Sequence, residues 1–213
     1  KPIAGYITGG DRNLVMGSEG ECYTYYTHAE GVSVRAALPY LVGWAPVAQG
    51  PIRGLGKPFV KHGAILPLGL VPGMYWDEIL GRFKIRPDVE QYACIQYRPL
   101  QAIPRPPYGV VWPAQTGTAG RVEYERVSNV LVDVHSHGKM APFFSGTDNA
   151  DDLGFRVSIV VGNLDLDVPM ARIRLGVYGY YADFLPWEDI FAQPTAHAVD
   201  IILAEKEVRF ILQ

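Results

Sequence analysis

The sequence predicts an α+β fold: a mixed β-sheet flanked by helices, with a β-rich module in front of it. Three observations lead there. After Pro72, Trp76, Ile79, Leu80 and Phe83 recur at three- and four-residue steps, one amphipathic helical face. Further on come short apolar runs with the length and branching of core strands, among them LVDV at 131–134 and FRVSIVVGNL. Residues 1–70 are turn-rich and strand-like, with ECYTYYTH and GVSVRAAL separated by breakers.

In chain order, IAGYI reads as a short strand and GGDRN as a turn. ECYTYYTH and GVSVRAAL form a candidate hairpin across HAEG, and LPYLVGWAPV and GPIRGLGKPFV follow, broken by Gly and Pro. Tyr23, Tyr25, Tyr26, Tyr40 and Trp44 fit alternate faces of a half-buried sheet, with a partner-binding surface as the rival reading. The helix opened by Pro72 has Asp77 and Glu78 early and Arg82 and Lys84 late, as the helix dipole favours, and must stop near Arg86, which precedes Pro87. VEQYACIQYR then reads as a strand buried on both faces. Residues 99–120, with five prolines, read as a long loop, with Arg105 and Trp112 as candidate substrate contacts. RVEYERV is expected to form a hairpin with LVDVHSH. GTDNADDL is a short helix, ARIRLGVYGYYADF a further strand, and LPWEDIF a short helix opened by Pro186. VDIILAE and KEVRFILQ close the chain as two strands or a strand and a helix. The expected division is 1–70 and 71–213.

Composition narrows the function. With 213 residues, 48% of them hydrophobic and 19% charged, the chain can bury a core. A net charge of −3 argues against a broad nucleic-acid footprint. No run approaches the roughly 18 apolar residues of a membrane helix. Two distant cysteines, Cys22 and Cys94, give no disulfide framework and suit a reducing cytoplasm. KPIAGYITGG has no signal-peptide core, and a preceding segment stays open because no Met starts the chain.

The chemistry concentrates in LVDVHSHGKMAPFFSGTDNADD, residues 131–152. Leu131, Val132 and Val134 read as a buried strand ending in His135 and His137, which share one side of an extended backbone. Asp148 follows eleven residues later, at the start of the short helix. Two imidazoles, one carboxylate and an open fourth position make the ligand count of a catalytic zinc site. Such a site needs a general base. Glu90, Glu123 and Glu125 are the available carboxylates. Ser145 has a structural reading as a helix cap. Asp151 and Asp152 are not counted as ligands; either is a candidate hydrogen-bond partner supporting a ligating histidine. His28, His62 and His197 lack ligand spacing.

His135-Ser136-His137, then Ser145 and Asp148, resembles the JAMM motif of the MPN/JAB metallopeptidases, H-[ST]-H-P followed by Ser, two residues and Asp. Gly138 stands in place of the motif's Pro. Glu90, after Pro87 and before an apolar strand, is similar to the family's catalytic Glu, with Ala93 where a Gly is common. The resemblance covers roughly residues 72–181. It implies the MPN/JAB (cytidine-deaminase-like) fold, with Zn²⁺ on His135, His137 and Asp148. It gives Glu90 the role of base and Ser145 that of oxyanion donor. The implied activity is hydrolysis of an amide or isopeptide bond after the C-terminus of a ubiquitin-like protein. Prokaryotic JAB-type members are most similar, and the N-terminal extension resembles that of members found in ParB-related, ThiF-related cassettes. That adds a ThiF/E1-like protein as an implied partner. An inactive MPN-like scaffold that binds protein partners is the alternative.

Overall fold

A computed structural model of the chain describes residues 13–16, 22–57, 62–99, 107–193, 197–204 and 207–211. The expected IAGYI strand and Arg105 lie outside them. Five strands form the first sheet in sequence order: β1 (Asn13–Met16), β2 (Cys22–His28), β3 (Gly31–Leu38), β4 (Leu41–Gln49) and β5 (Gly63–Ile65). β2 and β3 pair across Ala29 and Glu30, the hairpin the sequence indicates. β4 runs unbroken through Gly43 and Pro46.

Helix α1 (Gly73–Ile85) follows Pro72 and buries Gly73, Trp76, Ile79, Leu80 and Phe83. Asp77 and Glu78 lie past the first turn, so they do not serve the helix terminus. Asp77 accepts a hydrogen bond from the His197 backbone N–H (3.0 Å) and Glu78 one from Trp112 Nε1 (3.1 Å).

The second sheet has eight strands. Along it lie β15 (Glu207–Ile211), β14 (Val199–Ala204), β12 (Met170–Val177), β11 (Phe155–Gly162), β10 (Val130–Ser136), β6 (Tyr92–Tyr97) and β7 (Tyr108–Val111), with β13 (Tyr180–Asp183) also paired to β12. β10 is central, parallel to β11 and antiparallel to β6. Val132, Val134, Val157 and Ile159 are fully buried beside it.

Three expectations are corrected. The 99–120 segment is not one loop: it contains β7, and β8 (Gln115–Thr118) pairs with β9 (Arg121–Tyr124) as a separate hairpin. β9 therefore does not pair with β10, whose two edges are taken by β6 and β11. ARIRLGVYGYYADF is two strands, because Tyr178 (φ 50°) and Gly179 (φ 85°) turn the chain back. Two positive-φ residues make the tight hairpin turn that matches strand twist.

Strand parity places the layers. Ile173, Leu175 and Val177 face one side of β12, and Arg172 and Arg174 the other. A side chain at Gly43 of β4 would collide with Leu175 and meet Phe155, so the first sheet packs on the Leu175 face. The tyrosines stitch the two sheets: Tyr25 Oη is 3.1 Å from Tyr180 Oη, and Tyr23 stacks on Tyr178 at 4.8 Å. This is the half-buried sheet reading of that aromatic cluster. The opposite face is left for Tyr92, Asp133, His135 and Ser158, which the strand registers place on the Arg174 side. Helix α2 (Gly146–Asp151) lies over that side. No helix among the described residues is long and apolar enough to cross a membrane.

Candidate metal centre

His135 lies near the end of β10, and Ser136 closes the strand against the segment before β6. Ser136 N–H donates to Gln91 O (2.9 Å), and Gln91 N–H donates to Ser136 Oγ (3.0 Å). His137 N–H then donates to Val161 O (2.7 Å), which fixes the second histidine beside β11. The chain turns at Gly138, whose φ of +58° lies outside what proline can adopt; a Cβ there would sit 2.7 Å from Pro87 O. Glycine at this position therefore makes a different, tighter turn than the motif's proline.

Asp148 comes from the first turn of α2. Ser145 caps that helix: its Oγ accepts Asp148 N–H (3.1 Å), and Asp148 Oδ2 accepts Ser145 N–H (2.6 Å). This reciprocal pair is a capping box with Asp in the third position. It fixes the carboxylate while leaving the Ser145 hydroxyl proton free to donate.

One ligand atom each from His135, His137 and Asp148 lies within 4.8 Å of the others. His135 Nε2 is 3.3 Å from Asp148 Oδ1, and His137 Nε2 is 4.0 Å from Asp148 Oδ2. Bonds of about 2.0–2.2 Å at tetrahedral angles put ligand atoms roughly 3.3–3.5 Å apart, so small adjustments suffice. His135 Nε2 is buried and lacks a well-formed hydrogen bond, the state of a group suited to a metal. The three residues fit a cation.

Electrostatics follow the geometry. Burial works against the His135 imidazolium, but Asp148, Asp133 and Glu90 outweigh it and raise its pKa. Burial and then the neighbouring His135 push His137 down to about 4. Burial opposes ionisation of Asp148, yet His135 and the Ser145 hydrogen bonds hold it well below the ordinary carboxylate range.

Glu90 stands two residues ahead of β6 rather than on a strand. Its backbone N–H donates to Thr118 O (2.7 Å), and a side chain at Gly117 would collide with its carbonyl. The β8–β9 hairpin thus grips it from one side. Gln115 extends the grip, exchanging two 2.7 Å bonds with the Tyr92 backbone. Glu90 is 8% exposed, so it does not point into solvent. Burial raises its pKa, with His135 opposing and Asp148 adding. Those couplings place it in the field of His135 and Asp148. Glu123 and Glu125 are exposed, and Glu123 pairs with Arg121 (3.0 Å).

The remaining histidines lie elsewhere. His28 and His62 both bond Ser33 Oγ at 2.8 Å, and His197 packs against Gly81 of α1. Asp152 does not support a ligating histidine. It is buried and pairs with Arg174 (3.1 Å) and Arg156 (3.3 Å). Asp151 is exposed on the helix. Sequence reading missed Arg156 and Arg174; the signal was charge inside core strands, since such residues are almost never fully buried unless paired.

Residues 77–175 match the family model described as prokaryotic homologs of the JAB domain. No curated protein matches the chain.

Proposed function

From the premise that residues 77–175 are a JAB domain of the prokaryotic type, we propose that this chain is a zinc metallopeptidase. Its substrate would be an amide or isopeptide bond at the C-terminus of a ubiquitin-like protein. The observation that carries the reading is the convergence of His135, His137 and Asp148 at one end of β10, with buried Glu90 coupled to His135 and Asp148. Inactive members of such families usually lack one or more ligands, and His135, His137 and Asp148 are all present here.

Zinc, when bound, polarises a carbonyl and makes a water acidic near neutral pH. His135, His137 and Asp148 would hold it. Glu90, its pKa raised by burial, takes the proton of the attacking water and passes it to the leaving amine. The Ser145 hydroxyl, its oxygen already engaged by Asp148 N–H, donates to the developing oxyanion. A ThiF/E1-like activating enzyme is the accompanying partner class.

The test is cleavage of a ubiquitin-like fusion or isopeptide conjugate by the zinc-loaded chain, followed by mass spectrometry. New termini after the modifier's last residue support the proposal. Zinc-loaded protein that binds the modifier but cuts none of a conjugate panel moves the reading to a scaffold.

Ser145→Ala separates two roles. Loss of the cap costs about 1 kcal/mol of stability. Loss of an oxyanion donor costs about 10²–10³ in kcat. We expect the larger, kinetic effect; a variant with parental kcat and only a lowered Tm would leave Ser145 as a cap.

The pKa shifts set the proton balance of loading. Ligation needs neutral imidazoles. The raised pKa of His135 keeps it protonated in the metal-free chain below that pKa, whereas His137, at about 4, is already neutral near pH 7. Zinc binding therefore releases close to one proton on the acid side of the His135 pKa and fewer above it. Affinity weakens as pH falls through that value. Calorimetric titrations in buffers of different ionisation heat measure this, and release that does not change with pH would contradict it.

A further inference from the structure

The helix that carries Asp148 is six residues long. An isolated segment of that length does not hold its shape, since helices below about 12 residues are marginal in water. Its N-terminal end is held by Ser145. Its C-terminal end is held by the sheet, and the geometry points to Arg174 as the positioning residue that sets the Asp148 carboxylate and the Ser145 hydroxyl together.

Arg174 projects from β12 on the site face and is 2% exposed. Its guanidinium lies between two rings, 3.8 Å from the centre of Phe144 and 4.0 Å from that of Tyr181. Nη1 donates to Asn149 Oδ1 (2.5 Å), and Nη2 donates to Asp152 Oδ2 (3.1 Å). One planar group thus touches the residue before Ser145, the residue after Asp148 and the C-cap of α2. Tyr181 adds to this by donating its hydroxyl to the Asn149 carbonyl (2.9 Å), with the Asp152 carbonyl at 3.2 Å. These are carbonyls at the helix end, which need partners from outside the helix.

Charge balance explains why the arrangement is stable. Asp152 is shared by Arg174 and Arg156, and Arg156 also meets Asp133 at 2.6 Å. Two buried carboxylates therefore answer two guanidiniums. Asp148 is left outside this set, free to serve the histidines. Arginine is required over lysine because only its fork reaches two acceptors while stacking between two rings.

The inference rests on the metal-centre reading, and its test reads metal rather than turnover. Zn²⁺ affinity and the visible absorption of the Co²⁺-loaded chain are measured for the parent, Arg174→Lys, Tyr181→Phe and Ile201→Val. Ile201 is a fully buried residue on β14 and serves as a stability control. Arg174→Lys is expected to weaken Zn²⁺ binding 10–100-fold, as loss of a group supporting metal ligands does. Tyr181→Phe weakens it in the same direction, and both alter the Co²⁺ spectrum. Ile201→Val lowers Tm and leaves both readings unchanged. If Arg174→Lys does not fold, Tyr181→Phe decides. Parental Zn²⁺ affinity and Co²⁺ spectrum in the folded variants overturn the assignment with the metal centre intact. A parent chain that binds neither metal overturns the metal centre, and the assignment with it.

Discussion

Glu90→Gln is expected to keep its zinc and lose its hydrolysis. Glutamine has nearly the same shape, so the hairpin grip on this residue, made through its backbone N–H and carbonyl, is unaffected. The amide cannot accept and return a proton, and a positioned general base contributes about 10²–10⁴ in rate. Loss of that size in kcat, with zinc stoichiometry and Tm near parental values, identifies the base. The metal content matters as much as the rate. Glu90 is coupled to His135 and Asp148 only through space, so its charge tunes the centre without being part of the ligand set. Removing the charge also removes one of the groups that raise His135. The variant should therefore release fewer protons on zinc loading at a given pH near neutrality. Retained hydrolysis would place the base elsewhere. Glu123 and Glu125 would be tested next, although both are exposed and Glu123 already pairs with Arg121.

What the sequence made readable follows from range. α1 shows in the sequence because its buried residues repeat at helical steps within thirteen residues. The two histidines, Ser145 and Asp148 fall within fourteen residues, and strand alternation plus one helix start bring them together. The errors concern hairpins with no apolar alternation to announce them and partners far apart in sequence. QTGT of β8 has no apolar alternation to announce a strand; it is one because β9 pairs with it and Thr118 O receives Glu90 N–H. The burial of Arg174 is equally silent locally. It depends on Asp152, twenty-two residues earlier, and on Phe144, thirty residues earlier. Asp152 has one arginine nearby in sequence, Arg156 four residues on, but nothing local announces Arg174 as its second partner.

Asp148→Ala is expected to abolish zinc binding. The parent should carry about one zinc per chain by elemental analysis, and the variant none, with His137→Ala behaving alike. Two effects act in the same direction. The substitution removes one of three ligands, leaving two imidazoles that cannot by themselves form a three-ligand catalytic site. It also removes the side chain that bonds Ser145 N–H at 2.6 Å, so the capping box loses one of its two bonds. The helix start then loosens, and the histidines lose the carboxylate that lies 3.3 Å from His135. Without it the His135 pKa falls, with only Asp133 and Glu90 left to oppose burial, so the metal-free variant should carry fewer protons at that site near neutral pH. Asp148→Asn separates these contributions. The amide oxygen still accepts from Ser145 N–H and preserves the cap, but its neutral oxygen is a much poorer metal ligand. A zinc content near zero in Asp148→Asn, with Tm close to the metal-free parent, assigns the loss to ligation. Stoichiometric zinc in both variants would exclude Asp148 from the centre and turn the search to Glu90 as the third ligand.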